Sequence, residues 1–252
     1  MKPYPHWTHV CLLLIILIHP SCKKNDNASS ANTDKMKIIT NIDKSTSIPD
    51  TTITQFSYNP DGTVSSVDLL ENGGTTQRKY TYSTSSITII QTQSGIPDNV
   101  KDSFVLNSNG LPSIHFQTYI PDTLYNVKEY YFYNSSGKLE KKISSYPYLS
   151  QVDTVVNSWV NGDIVKEFYS RGSIEVTYGF NSGLACQSGD PTYYEQLLLM
   201  GNAKGINAHL LNVINPLTDP ETITYTYDSN SRINGYTITY LGKVTNIVSI
   251  SY

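Results

Sequence analysis

The sequence predicts a mainly β fold: a curved antiparallel meander of successive β-hairpins, about 13–15 strands, with one or two short helices at about 191–214 packed on one face. Three observations lead there. Twenty tyrosines among 252 residues, with only 15% charged residues, describe strand material. A turn signal recurs about every 24 residues, the mark of a repeated hairpin. Apolar residues at helical spacing gather in one stretch, 190–216. The alternative architecture is an α+β half-barrel with a cavity under the helices.

The repeat is read from its turns. Ile48-Pro49-Asp50-Thr51 returns as Ile96-Pro97-Asp98-Asn99 and as Ile120-Pro121-Asp122-Thr123. Between these outer turns lies a second, more regular one: Phe56-Ser57-Tyr58-Asn59-Pro60-Asp61-Gly62, then Asn107-Ser108-Asn109-Gly110, then Tyr131-Phe132-Tyr133-Asn134-Ser135-Ser136-Gly137. Asn or Asp at the turn start folds its side chain back onto backbone amides, and Gly62, Gly110 and Gly137 supply the positive φ that closes the turn. Trp159-Val160-Asn161-Gly162 carries Asn-Gly, a strong two-residue hairpin signal. The last copy is Tyr225-Thr226-Tyr227-Asp228-Ser229-Asn230-Ser231-Arg232-Ile233, with Ser231 in the glycine position. Aromatic residues two apart share a strand face. Tyr58, Tyr80, Tyr82, Tyr131, Tyr133, Tyr225 and Tyr227 therefore form a stripe, which serves either as the core face of the sheet or as an exposed platform for a sugar or peptide.

In the helical stretch, Asp190-Pro191 reads as an N-cap and first helical residue. Tyr193, Tyr194, Leu197, Leu198 and Met200 follow at helical spacing, and Gly201 stops the helix. A second run, Ile206, Leu210, Leu211, Val213 and Ile214, ends before Pro216. These residues are expected to plug the concave side of the sheet, or else to cover a cavity for an apolar ligand.

The amino terminus carries export signals. Residues 1–21 read as a signal peptide: Lys2 precedes the apolar run Val10 to Ile18, which is too short to span a bilayer. Leu17-Ile18-His19-Pro20-Ser21-Cys22 ends in a small residue before cysteine and resembles the lipobox of bacterial lipoproteins, which implies lipidation of Cys22. Residues 22–35 lack bulky apolar side chains after the cysteine and read as a flexible tether, leaving 36–252 as a single domain with a helical insertion at about 190–216.

The motif Tyr-x-Tyr-Asp/Asn-x-x-Gly-x-Leu/Ile, seen at 225–233 and in degenerate form at 56–64 and 131–139, resembles the YD repeat of RHS-type proteins. Together with the lipobox, the chain resembles uncharacterised Bacteroidota lipoproteins built from such hairpins. The resemblance implies an outer-membrane lipoprotein of the cell envelope, periplasmic or surface-exposed, and an association with carbohydrate.

Chemistry-bearing residues are sparse. A formal net charge of −3 and no basic stripe give no reason to expect nucleic acid. His115 and His209 lack metal-ligand neighbours, and no metal or cofactor is expected. Asp50, Asp98 and Asp122 each follow proline alone, as in Asx turns rather than calcium loops. Glu129, Glu140, Glu167 and Glu175 fall on strands, where single charges usually face solvent. Cys186 is expected to be a small buried residue. The resulting expectation is a monomeric, non-enzymatic binding or scaffold module for a glycan or protein, held at the membrane by its lipid. A carrier of an apolar ligand and an envelope hydrolase are the alternatives.

Overall fold

The computed structural model describes residues 35–71, 73–94, 99–120, 126–201, 207–215 and 217–252. The leader, Cys22, the tether to residue 34, and the Pro97-Asp98 and Pro121-Asp122 turns lie outside the described residues. Sixteen strands follow one another around a closed barrel: β1 (Ile38–Asp43), β2 (Asp50–Tyr58), β3 (Val64–Glu71), β4 (Gly74–Tyr82), β5 (Ser86–Gln93), β6 (Asn99–Leu106), β7 (Pro112–Ile120), β8 (Val127–Tyr133), β9 (Leu139–Tyr146), β10 (Gln151–Val160), β11 (Asp163–Tyr169), β12 (Ile174–Ala185), β13 (His209–Ile214), β14 (Glu221–Tyr227), β15 (Ile233–Tyr240) and β16 (Lys243–Ser251). Each pairs antiparallel with its sequence neighbours, and β1 pairs with β16 from Ile38↔Ser251 to Asp43↔Asn246.

This corrects the expected architecture. The sheet is neither an open curved meander nor a half-barrel, because its first and last strands hydrogen-bond to each other and leave no sheet edge at the ends. Among the described residues there is one α-helix, α1 (Pro191–Met200). The second apolar run is strand: His209–Ile214 pairs with β12.

At one rim stand the regular turns, where Asn59, Asn107 and Asn134 accept the amides of Gly62, Gly110 and Gly137 on their backbone carbonyls at 2.7–2.9 Å. Gly62 has φ +93°, a conformation side chains resist, which accounts for glycine there. Ser231 adopts φ +61° in the copy that lacks glycine. Asn107, Asn134 and Asp228 accept nearby backbone amides on their side-chain oxygens, as read from sequence; in the first corner Asp61 takes that role, while Asn59 Nδ2 donates to Thr63 Oγ1 at 3.0 Å.

The aromatic pairs lead into this rim on the inward face. Phe56, Tyr80 and Tyr131 are buried, and Tyr58, Tyr82, Tyr133 and Tyr225 pack against the same core. Of the two readings of the tyrosine stripe, the core face is the one observed for these residues; Tyr227 is exposed. The second aromatic of a pair makes a specific bond. At the end of an even-numbered strand it donates to a carbonyl at the start of the preceding strand. Tyr82 donates to Val64 O at 2.8 Å, Tyr133 to Pro112 O at 2.6 Å, and the Trp159 indole to Leu139 O at 2.8 Å. Tyr58 reaches Met36 O at 2.7 Å and Tyr252 reaches Ile233 O at 2.8 Å. These bonds stitch hairpin to hairpin around the rim. Burial pushes the Tyr58, Tyr82 and Tyr133 hydroxyls above the usual phenol range, so they remain donors.

From the same rim α1 turns inward. Asp190 caps it, accepting the Thr192 amide at 2.8 Å, and Pro191 occupies its first turn. Leu197 and Met200 enter the core. The helix ends against the opposite wall: Tyr80 donates to Leu198 O at 2.6 Å and the Val64 amide to Gly201 O at 3.0 Å. A Cβ at Gly201 would stand 1.8 Å from the Tyr82 hydroxyl, so glycine is required by contact as well as by its φ of +67°. Cys186 is buried beside the start of this segment, and the described residues place no second cysteine near it.

Tyr82→Phe and Tyr133→Phe each remove a donor from a carbonyl shielded from water. Each substitution is expected to cost about 1–3 kcal/mol, whereas Tyr227→Phe at an exposed position changes stability by less than about 0.5 kcal/mol. Urea denaturation of the three variants measures the difference.

Candidate functional site: an outer aromatic–lysine wall and the charges behind it

Strand alternation gives each residue of the barrel an inside or an outside. On β6 to β9 the inside holds charge. His115 on β7 is buried between two carboxylates, with Nε2 at 2.8 Å from Asp102 Oδ1 and Nδ1 at 2.9 Å from Glu129 Oε2. Glu129 Oε1 accepts Lys142 Nζ and Ser144 Oγ, each at 2.8 Å, and Oε2 also accepts the Tyr131 hydroxyl at 2.7 Å. The Phe104 ring stacks on the imidazole, centroids 4.2 Å apart. Two acids and two bases thus balance within the wall, with their hydrogen bonds satisfied, the condition under which buried charge is tolerated.

The electrostatics follow from that geometry. Burial alone would push the His115 imidazole down, but the hydrogen bonds and charges of Asp102 and Glu129 prevail and raise it to about 9. Burial would raise Glu129, yet the His115 hydrogen bond and the Lys142 charge hold it well below the usual carboxylate range. With both ring nitrogens facing carboxylates, His115 is the doubly protonated imidazolium and has no free nitrogen to act as a base.

Glu167 on β11 is different. It is wholly buried, with Oε2 accepting Tyr178 at 2.7 Å and Tyr169 at 2.8 Å, while Oε1 has no hydrogen-bond partner among the described residues. Its cross-strand neighbour is Asn157, whose Nδ2 donates to Leu139 O at 3.2 Å and whose Oδ1 is also unpartnered among the described residues. Burial pushes Glu167 up to about 7 against the two tyrosine hydrogen bonds and the Lys142 charge. A proton on Glu167 Oε1 would resolve both unpaired oxygens, since paired strand residues stand only about 4.5–5.5 Å apart at Cβ.

The expectation that these glutamates face solvent is corrected for Glu129 and Glu167. Both share the inward parity of a tyrosine two residues away, Tyr131 and Tyr169 respectively. Glu140 and Glu175 are exposed, as expected.

The opposite parity builds the outer face, and there the same strands carry an apolar and basic surface. Phe132, Lys141, Val156 and Phe168 stand in one cross-strand row over β8 to β11. Phe132 is 44% exposed, Val156 43% and Phe168 40%. A neighbouring row opens with Phe116, 37% exposed, opposite Lys128. Lys128 Nζ lies 5.1 Å from the Phe116 ring and 4.7 Å from Tyr130, and Lys141 Nζ lies 4.8 Å from Phe132. Ammonium groups over ring faces keep the aromatic surface solvated while leaving it available. The sequence signal was present: Tyr130-Tyr131-Phe132-Tyr133 places aromatics on both faces at once. The wall between is one residue thick, so the inner ion network fixes the strands that display the outer rings.

Elsewhere the outer face is mixed: on β2 to β5 Gln55, Ser57, Asp68, Gln77, Lys79 and Thr88 lie on the outward parity, as does the exposed Ile90, and Ile38, Val105, Ile120 and Val152 are exposed on other strands. Gln77 donates to Asp68 there at 2.8 Å. Among the described residues no group of three or more His, Cys, Asp or Glu side chains could hold a metal ion. His209 Nδ1 lies 2.7 Å from Asp163 Oδ2.

The pH dependence of stability follows by sign. His115 is raised, so its contribution is complete below pH 6.5 and is lost as pH climbs through about 9. Glu167 is raised to about 7, so its contribution is complete below about pH 4.5 and is lost towards and above neutrality. Glu129 is lowered, so its share is present above about pH 4.5 and lost only in stronger acid. Glu167→Gln, whose amide can donate to Asn157 Oδ1, is expected to raise the melting temperature at pH 8 and to change it little at pH 5. A lower melting temperature at pH 8 would show that the ionised carboxylate is the stabilising form.

No protein-family model and no curated relative matches the sequence. Among solved structures, the fold is similar to a porin-like protein from Bacteroides uniformis ATCC 8492, with TM-score 0.64 and 14% identity over 87% of this chain and 98% of that one. A porin-like protein from Bacteroides vulgatus ATCC 8482 matches at TM-score 0.43 and 13% identity over 86% of this chain and 99% of the other. At such identity the first likeness is one of fold: a closed antiparallel barrel.

Proposed function

We propose that this chain is a non-enzymatic binding module of the cell envelope, tethered through Cys22, that engages a glycan or protein ligand by the outer wall of β7 to β11. The observation that carries this reading is the row Phe132–Lys141–Val156–Phe168, an exposed aromatic and aliphatic strip on a rigid wall. Rings offer the apolar faces of sugars and peptides a large contact area at small entropic cost. The saturated hydrogen bonding of His115 supports a structural rather than a catalytic role for the inner charges. The lipobox and the YD-like hairpins support the envelope location and the lipoprotein assignment.

In this reading the barrel is not itself a pore. A membrane-spanning barrel carries an apolar band on its outside, and an exposed lysine at mid-membrane costs about 2–4 kcal/mol. Here Lys79, Lys101, Lys128, Lys141 and Lys166 occupy the outward parity, and α1 crosses the interior. No described helix is long and apolar enough to cross a membrane, which says nothing about strands.

The test is a glycan and envelope-protein binding screen on full-length protein, with Phe132→Ser/Phe168→Ser as the comparison. The double variant is expected to keep its melting temperature within a few degrees and to weaken any binding about tenfold or more. Ligands that bind both forms equally would move the site elsewhere. Channel conductance in planar bilayers would overturn the reading and favour a pore.

A further inference from the structure

We propose that the seam between β13 and β14 is a strand-addition site for an extended peptide bearing an aliphatic side chain. Everywhere else in the barrel, adjacent strands pair over at least four residues, but β13 and β14 share only Val213↔Thr222 and Ile214↔Glu221. From there to the rim the two strands part.

The two sides of the parting are unequal. On β13 the freed backbone of Leu211 is already satisfied: Asp190 Oδ2 accepts its amide at 3.2 Å, and the Tyr225 hydroxyl lies 2.6 Å from its carbonyl oxygen. On β14 it is not. The Asp228 amide donates to Arg232 O at 2.9 Å, which sets the even-numbered residues of β14 towards β15. Strand periodicity then turns the N–H and C=O of Tyr225 and Tyr227, and the C=O of Ile223, into the seam, where no ladder partner stands opposite them among the described residues. A row of donors and acceptors at two-residue spacing is the complement of another extended backbone, the basis of recognition by strand addition.

Beside this edge lies a cavity of about 250 Å³, lined by Leu184, Leu210, Asn212, Ile223 and Tyr225 among others. Leu210 and Ile223 are buried and make its floor apolar, while Leu184 stands exposed at its lip. The space accommodates one branched aliphatic side chain from the incoming strand. This site is separate from the aromatic wall and does not depend on it.

Hydrogen exchange followed by NMR on the full-length protein tests the edge first. The amides of Tyr225 and Tyr227 are expected to exchange fast, while those of Thr222, Thr224 and Thr226 are protected. A random heptapeptide library is then panned on the protein and counter-selected on Asn212→Trp, which fills the cavity from an exposed position. Recovered peptides, resynthesised, are expected to carry aliphatic residues and to slow exchange at the two seam amides. Their affinity should fall about tenfold on N-methylation of alternate amides and about tenfold against Asn212→Trp. Slow exchange at those amides in the free protein, a library that yields no binder, or binders that leave the amides unprotected would each overturn the proposal. Protection that grows with protein concentration alone would assign the edge to a second copy of the chain instead.

Discussion

Closing sixteen strands encloses more space than wall side chains alone can fill, and the rest of the structure answers that constraint. In this chain three devices occupy the interior. The aromatic collar and α1 close one rim with apolar volume. The Asp102–His115–Glu129–Lys142 network fills part of the wall's inner surface with balanced charge. Glu167, between Tyr169 and Tyr178, extends that polar interior across β11 and β12. The two charged clusters lock consecutive strands in register, while α1 couples strands distant in sequence through its bond to Tyr80 on β4.

The rim stitches link local sequence to global closure. A Tyr-x-Tyr-Asn/Asp motif looks like turn chemistry alone, but the second ring also satisfies a carbonyl of the neighbouring strand. The copy Phe104-Val105-Leu106 has leucine in that place and forgoes the bond, although Asn107 still shapes its turn. The repeat thus encodes two separable functions, a corner and a stitch. α1 exploits the same collar: the Tyr80 hydroxyl that could have served the wall instead holds the Leu198 carbonyl of the plug.

What was legible in the sequence was what is local. The Asn/Asp–Gly corners, the hairpin succession, the Asp190-Pro191 helix start and the Gly201 stop all appear where residue chemistry places them. Closure was not legible, because a hairpin pattern fixes each neighbour but not whether the ends meet. The run 206–214 was ambiguous for a different reason. A short apolar stretch buried on both sides satisfies helix and strand spacing alike, and β13 has a bulge against β12 that hides its period. The inward glutamates were missed because single charges on strands usually face water. Their parity with Tyr131 and Tyr169 held the contrary signal. The outer aromatic wall is hidden in the sequence likewise: rings two apart mark one strand face, and Phe132, between them, belongs to the other.

Inner charges and outer rings belong to the same strands, so the wall that displays Phe132 and Phe168 is the wall braced by Glu129, His115 and Lys142. All of this presumes that β1 and β16 meet. Thr40 stands directly opposite Ser249 across that join, and directly paired strand residues are close enough for a disulfide after small adjustment. In a chain whose other cysteines are replaced by serine, Thr40→Cys/Ser249→Cys should form an intramolecular disulfide on mild oxidation without loss of folding. Two thiols that stay free in the folded protein, or that link only between molecules, would contradict the closed barrel.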